Sequence, residues 1–262
     1  MEKIGFIGFG NMALAIAGGF INSGSVDCKN IYAFAPNQEK LNKNTSSLGI
    51  NPCSSVTALV DSCDTVIIAC KPYQIKEVLS QVANNLKGKA LISIAAGWTF
   101  KMFQNELDSS VRIQCIMPNT PAMIGEGVML FEKDNSLNQD EHTKVVALFK
   151  TLGIVEELPT NLMGIGGAIS GCGPAFMDLI MEAYGDAAVK YGISRDMAYR
   201  LVSQTMAGSA RLQQKTNSHP GVLKDAVCSP NGTTIRGVDV LEKNGVRGAC
   251  ISCIDAIMDY KK

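Results

Sequence analysis

Short apolar runs rich in β-branched residues alternate with helical patterns from Lys3 to about Leu158. The runs Lys3–Phe9, Asn30–Ala35, Thr65–Cys70, Ala90–Ile94, Arg112–Met117, Val128–Phe131 and Ile154–Glu157 predict strands. The early runs are apolar almost without interruption, as strands covered on both faces are. Between them, Met12–Ser23, Gln38–Leu48, Ile75–Leu86 and Gln139–Leu152 carry the spacing of amphipathic helices. Strand-helix alternation of this kind predicts an α/β fold with a parallel, doubly wound sheet.

After Pro159 the pattern changes. Positions 175, 176, 179, 180, 183, 184, 187 and 188 form an apolar stripe of helical period, and Gly192 supplies the stop. Met197–Gln214, Thr234–Asn244 and Val246–Asp259 predict further helices, with Gly245 separating the last two. The expected division is therefore residues 1–159 for the α/β part and 160–262 for an all-helical part. Helices apolar over so wide an arc, in so small a domain, are expected to complete their core against a second copy of the chain.

Composition narrows the function classes. The chain has 262 residues, which favours one large or two modest domains. With 46% hydrophobic and 18% charged residues it has the material for a core, which excludes disorder. Lys and Arg number 24, as do Asp and Glu, without clustering; this argues against a nucleic-acid partner. No unbroken apolar run reaches the ~18 residues of a membrane span. The start, Met1-Glu-Lys-Ile-Gly-Phe, lacks the pattern of a secretory signal, so a cytoplasmic protein without a membrane partner is expected. Nine cysteines, an odd count, then fit reduced thiols. Cys250 and Cys253 form a single CxxC with no second pair, and His142 and His219 lie far apart, so no metal site is expected.

The chemistry sits at predicted strand ends. Gly8-Phe-Gly10-Asn11-Met12-Ala13 falls where the first strand meets the first helix. In such a turn the first glycine permits the tight bend and the second lets the backbone approach a pyrophosphate. Ala13 allows close helix-strand packing, and the helix start offers free N–H groups. A dinucleotide is the expected cofactor. The second strand ends Phe34-Ala35-Pro36-Asn37-Gln38, with no acid before Glu39 and with Lys40 nearby. The missing carboxylate permits a 2′-phosphate, so NADPH is favoured, with NADH possible. Later strand ends read Cys70-Lys71-Pro72, Ile94-Ala95-Ala96-Gly97 and Met117-Pro118-Asn119. Lys71 suits ribose or phosphate oxygens, the Ala-Ala-Gly turn suits a ring laid on backbone, and Asn119 suits the nicotinamide region; each is equally an ordinary turn residue.

In the helical part, Ile169-Ser-Gly-Cys-Gly-Pro174 leads into the first helix, its glycines suited to close packing. Ser229-Pro-Asn-Gly-Thr-Thr234 places hydroxyls and a glycine before a helix start, which suits a small carboxylate. Thr233 or Thr234 can also cap that helix, and one loop can do both.

Together these motifs closely resemble the pyrroline-5-carboxylate reductase family over essentially the whole chain. The resemblance rests on Ile7–Ala13, Lys71-Pro72, Ser93–Gly97, Met117–Pro121, Ser170–Ala175, His219-Pro-Gly221, and above all Leu223–Ile235 followed by Val240-Leu-Glu242. Two positions depart from it: Asn231, where the family usually has glycine, and Cys172, where serine is frequent. The resemblance implies a Rossmann-type NADP-binding domain followed by a helical domain for substrate binding and dimerisation. It implies reduction of 1-pyrroline-5-carboxylate to L-proline by a nicotinamide hydride, the last step of proline synthesis. It also implies a homodimer, often built into a larger ring such as a decamer. Carried over by motif, Thr234 would bond the imine nitrogen, while Ser229 and the backbone of Gly232, Thr233 and Thr234 would hold the carboxylate. Ala35, Pro36 and Asn37 would border the 2′-phosphate.

Three rivals remain. A β-hydroxyacid dehydrogenase needs a lysine base after the domain junction, yet 171–189 contains no lysine and Lys190 falls too late. A reductase of a related cyclic imine acid is a neighbouring activity. A non-catalytic NADP sensor would have no reason to keep the Ser229–Thr234 loop in anion-binding form.

Overall fold

The apolar runs become the strands of one eight-stranded sheet. These are β1 (Ile4–Ile7), β2 (Ile31–Phe34), β3 (Asn51–Pro52), β4 (Thr65–Ile68), β5 (Ala90–Ser93), β6 (Arg112–Met117), β7 (Gly127–Glu132) and β8 (Gly153–Leu158). The computed structural model describes residues 3–260 and divides into two compact units, Met1–Pro174 and Ala175–Lys262.

In the first unit the strand order is β3-β2-β1-β4-β5-β6-β7-β8. All pairs from β3 to β6 are parallel. β7 runs antiparallel to β6, and β8 pairs parallel with β7. The chain leaves β1 toward β2 on one side and returns to β4 on the other, so their carboxyl ends flank a crevice where doubly wound sheets bind ligands.

Helices α1 (Asn11–Asn22), α2 (Gln38–Leu48), α3 (Val56–Ser62), α4 (Ile75–Val82), α5 (Phe100–Glu106), α6 (Gln139–Lys150) and α7 (Met163–Ser170) complete this unit. Two cores sandwich the sheet. Phe6, Ile16, Phe20, Phe131 and Phe149 centre one, under α1 and α6. Leu59, Leu79, Leu91 and Phe103 centre the other, under α3, α4 and α5. Both faces of β1, β4 and β5 are thus dry, which is why these runs are continuously apolar.

Helix α4 ends at Val82, shorter than the pattern to Leu86 predicts, and the chain closes with turns that still bury Leu86. Elements α3 and α5 have seven residues each, too few to show a period. Caps define them instead: Ser55 Oγ accepts from Ala58 N–H at 3.1 Å and Thr99 Oγ1 from Met102 N–H at 3.3 Å. The glycine-rich α7 lies in the first unit although it follows residue 159. A side chain at Gly166 would stand 2.6 Å from Leu158 and 2.8 Å from Leu130, so its glycines exist to let the helix lie on β7 and β8.

The second unit consists of α8 (Gly173–Lys190, continuing from the first unit), α9 (Arg195–Thr216), α10 (Pro220–Ala226), α11 (Thr233–Lys243) and α12 (Val246–Asp259). Tyr199 packs over Gly185, where a Cβ would come within 2.6 Å of its ring. Arg195 pairs with Asp186. Among the described residues of this unit, Ala198 is the single buried hydrophobic one. Leu179 is 66% exposed, Leu201 52% and Ile251 64%. The helical stretch Thr160–Lys190, interrupted at Gly171 and Cys172 between α7 and α8, is long and apolar enough to cross a membrane by length and composition alone. Its alanines, leucines and isoleucines give it that apolar character, although Asp178, Glu182 and Asp186 interrupt the run.

Candidate active site

The glycine turn forms because only glycine fits it. Gly8 has φ +90°, and a Cβ there would stand 2.6 Å from the backbone nitrogen of Cys70. Its own N–H donates to Phe34 O at 2.8 Å, tying the turn to the end of β2. Gly10 differs: it is extended and caps α1 without a side chain, and a Cβ there would meet nothing within 4 Å. The space beside Gly10 is open where the uncapped N–H groups at the start of α1, which include those of Asn11 and Met12, offer donors to an anion.

A cleft of about 320 Å³ opens there. Gly8, Gly10, Ala35, Pro36, Asn37 and Lys71 line it together, with Lys40, Cys70 and Gln74. Six of the sequence-predicted cofactor residues are therefore gathered in one cleft. Asn37 is already engaged as the cap of α2, its Oδ1 accepting from Lys40 N–H at 2.9 Å. Lys40 and Lys71 are the cations that line the cleft, and among the described residues no carboxylate does. Gln74 is the residue that the sequence reading missed. Its Oε1 accepts from Lys71 N–H at 3.1 Å and braces the loop after β4; the spacing of Lys71 and Gln74 around Pro72 was the available signal. Burial pushes the Cys70 thiol up to about 11, so it lines the cleft as an inert apolar group.

The remaining predicted positions occupy the neighbouring strand ends. Ala95, Ala96 and Gly97 form the turn after β5, with Gly97 at φ +80°. Trp98 Nε1 donates to Pro72 O at 3.2 Å, and its ring lies 4.8 Å from that of Phe103, so the turns after β4 and β5 are joined. The turn after β5 is anchored downstream by buried Glu132, which accepts from Phe100 N–H at 2.7 Å and from Thr160 Oγ1 at 2.6 Å. Asn119 is buried, and its amide is committed: Nδ2 donates to Ser170 O at 2.9 Å and Oδ1 accepts from Val128 N–H at 2.8 Å. Its side chain braces the end of β6 against β7 and α7 rather than projecting as a free ligand.

In the second unit, the loop before α11 leaves its hydroxyls and the first N–H groups of the helix unspent. Gly232 caps the helix with no side-chain bond, so neither Thr233 nor Thr234 serves as the cap. Ser229, Thr233 and Thr234 are exposed, and among the described residues no hydrogen bond engages their hydroxyls. Gly232 N–H donates to Ser229 O at 3.0 Å, closing the turn, and a Cβ on Gly232 would stand 2.5 Å from Ser229 Oγ. Hydroxyls and helix-start N–H groups with no internal partner are able to receive a carboxylate. Among the described residues no cluster of His, Cys, Asp or Glu is arranged to hold a metal ion.

A switch-point cleft with a glycine turn, an open second glycine and an uncapped helix start defines a dinucleotide-binding protein of the Rossmann class. Comparison with known proteins gives the family. Residues 160–262 match the family model for pyrroline-5-carboxylate reductase dimerisation, and 3–97 match that for NADP oxidoreductase, coenzyme F420-dependent. The pyrroline-5-carboxylate reductase of Treponema pallidum is 41% identical over 260 residues, covering 98% of each chain. That of Escherichia coli is 36% identical, covering 98% of this chain and 96% of its own. The crystal structure of the Plasmodium falciparum pyrroline carboxylate reductase with NADP bound superposes with a TM-score of 0.90 at 34% identity, covering 99% and 97% of the two chains. The chain belongs to the pyrroline-5-carboxylate reductase family, and its helical part is a dimerisation region.

Proposed function

We propose that the protein reduces 1-pyrroline-5-carboxylate to L-proline with NADPH, or with NADH, as the final step of proline synthesis. The observation that carries this reading is the unspent loop at the start of α11, which suits a small carboxylate and a nitrogen beside it. When bound, the reduced nicotinamide supplies a hydride. Gly10, the start of α1 and Lys71 would bind the phosphates and ribose, and Ala35, Pro36, Asn37 and Lys40 would border the 2′-phosphate. Ala95, Ala96 and Gly97 would present bare backbone to the ring, with Pro72 and Asn119 shaping the floor through backbone and bracing bonds. In the loop, Ser229 Oγ and the N–H groups of Thr233 and Thr234 would hold the carboxylate, while Gly232, its N–H closing the turn on Ser229 O, would leave bare backbone for the approach. The protonated imine would donate its N–H to Thr234 Oγ. The C=N carbon then accepts the hydride, the π pair becomes the nitrogen lone pair, and solvent supplies the proton that gives the charged amine. An iminium is already electrophilic, so the residues need to orient it rather than activate it.

Residues 1–159 would serve cofactor binding, and 160–262 substrate binding and dimerisation. The exposed leucines of the second unit support assembly through that region, and we extend the dimer to a closed ring such as a decamer, in the cytoplasm, with neither nucleic acid nor membrane as partner. Light scattering of the purified protein reads the assembly: Leu179→Asp together with Leu201→Asp should lower the mass, and an unchanged mass refutes this face as the contact. The activity is tested by oxidation of NADPH with pyrroline-5-carboxylate. Thr234→Ala should slow turnover about 10- to 100-fold, the loss of one hydrogen bond to a charged group, while sparing NADPH affinity. Turnover equal to the parent removes Thr234 from the mechanism, and no oxidation by the parent at any pH removes the activity.

A further inference from the structure

Asn231 interrupts the substrate loop in a way that the reaction so far does not use. Its backbone is left-handed, with φ +56°. Asparagine reaches that region more readily than other residues that carry a Cβ. Its side chain is also engaged: Arg236 Nη2 donates to Asn231 Oδ1 at 2.9 Å. This bond spans Gly232, Thr233, Thr234 and Ile235, the stretch whose N–H groups and hydroxyls form the carboxylate cradle. The loop is thereby closed twice, once by Gly232 N–H on Ser229 O at 3.0 Å and once by the Asn231–Arg236 pair.

Arg236 also brings a charge that its helix does not cancel. Of the acids on α11, Asp239 pairs with Lys243 at 2.6 Å and Glu242 with Arg247 at 2.7 Å. Arg236 lies three residues beyond Thr233, on the same helical face, so its guanidinium sits over the first turn. A cation there adds to the attraction that free N–H groups exert on an anion.

We propose that Asn231 and Arg236 are positioning residues for the imine-acid site: a clamp that fixes the Thr233–Thr234 cradle and holds an uncancelled positive charge beside it, raising affinity for the carboxylate. This rests on the functional reading above.

Steady-state kinetics on Arg236→Ala, Asn231→Gly, the double variant and Arg236→Lys test it, varying pyrroline-5-carboxylate and NADPH separately. Arg236→Ala should raise KM for the imine acid about three- to tenfold, with kcat and KM for NADPH within about twofold of the parent. Asn231→Gly should act in the same direction. The double variant should be no worse than the more affected single one, because either change opens the same clamp. Arg236→Lys keeps the charge and can still donate to Asn231 Oδ1, so it should recover most of the affinity. An unchanged KM in Arg236→Ala, or additive effects in the double variant, overturns the proposal. If the parent itself does not oxidise NADPH with this substrate, the functional reading falls. The clamp is then read by hydrogen exchange at the amides of residues 232–235, which should quicken in Arg236→Ala; equal exchange overturns it too.

Discussion

Two glycines two positions apart in the phosphate turn, Gly8 and Gly10, should fail in opposite ways when replaced by alanine. At Gly8 a methyl group would press on the backbone of Cys70 and Ala69, within 2.6 to 2.8 Å, and the residue has φ +90°. Backbone at the end of a central strand cannot swing aside. The left-handed conformation costs about 1–2 kcal/mol and the overpacking about 1–3 kcal/mol, for a total of roughly 2–5 kcal/mol. At roughly 2–4 °C per kcal/mol for a chain of this size, Tm should fall by roughly 5–20 °C. At Gly10 the methyl group would meet nothing within 4 Å, and the extended backbone accepts alanine. The fold should lose nothing, and restricting the unfolded chain adds about 0.4–1 kcal/mol of stability. The same methyl group would, however, stand between backbone and pyrophosphate and weaken NADPH by about tenfold or more, at least ~1.4 kcal/mol. Calorimetric titration with NADPH and thermal melts of both variants separate the two effects. A Gly10→Ala protein that melts as early as Gly8→Ala, or one that binds NADPH like the parent, would refute the reasoning.

Other expectations follow from particular groups. Lys40→Ala should cost about fivefold in kcat/KM with NADPH and nothing with NADH, since Lys40 lines the cleft one helical turn from Asn37, where the 2′-phosphate would lie; equal losses would exclude a 2′-phosphate contact. Burial alone would raise the pKa of Glu141, but the hydrogen bond from Arg112 at 2.7 Å and that from Asn138 N–H outweigh it and hold the carboxyl below its ordinary value. A depressed folded-state pKa means stability that is complete above the unfolded value and lost as pH falls through the folded one. Glu141→Gln should therefore lower the urea midpoint at neutral pH by the equivalent of about 1–2 kcal/mol and flatten the acid limb of the stability profile; parallel profiles would refute it. Burial pushes the thiols of Cys63 to about 12 and Cys70 to about 11, and raises Cys115 with help from the charge of Glu132. Alkylation of the native protein near neutral pH, followed by mass spectrometry, should leave those three unmodified; rapid labelling of any of them fails the expectation.

The legible parts of the fold were those with a long period or a local grammar. Gln38–Leu48, Arg112–Met117 and Val246–Asp259 appear with the bounds that their patterns predict. The glycine turn was readable because its residues lie within six positions, although the backbone that excludes a Cβ at Gly8 is that of Cys70, far along the chain. Long-range commitments were not readable. Nothing near Asn119 announces that its amide bonds Ser170, 51 residues away, and so a side chain that looked free for a ligand is a brace. β3 has two residues and pairs only with β2, too little to mark itself against the turns around it. α7 reads as a poor helix, Met-Gly-Ile-Gly-Gly-Ala-Ile-Ser, because its glycines answer to the surface beneath it and not to helix propensity.

Trp98 is the chain's one tryptophan, and it bonds Pro72 while following directly on the Ala95–Gly97 turn. Its indole therefore sits in the strap between the turn after β5 and the loop after β4, which lines the cleft. That placement makes the molecule its own optical gauge. Reduced nicotinamide absorbs where indole emits, so quenching of Trp98 reports occupancy directly, in any variant, and without a single turnover.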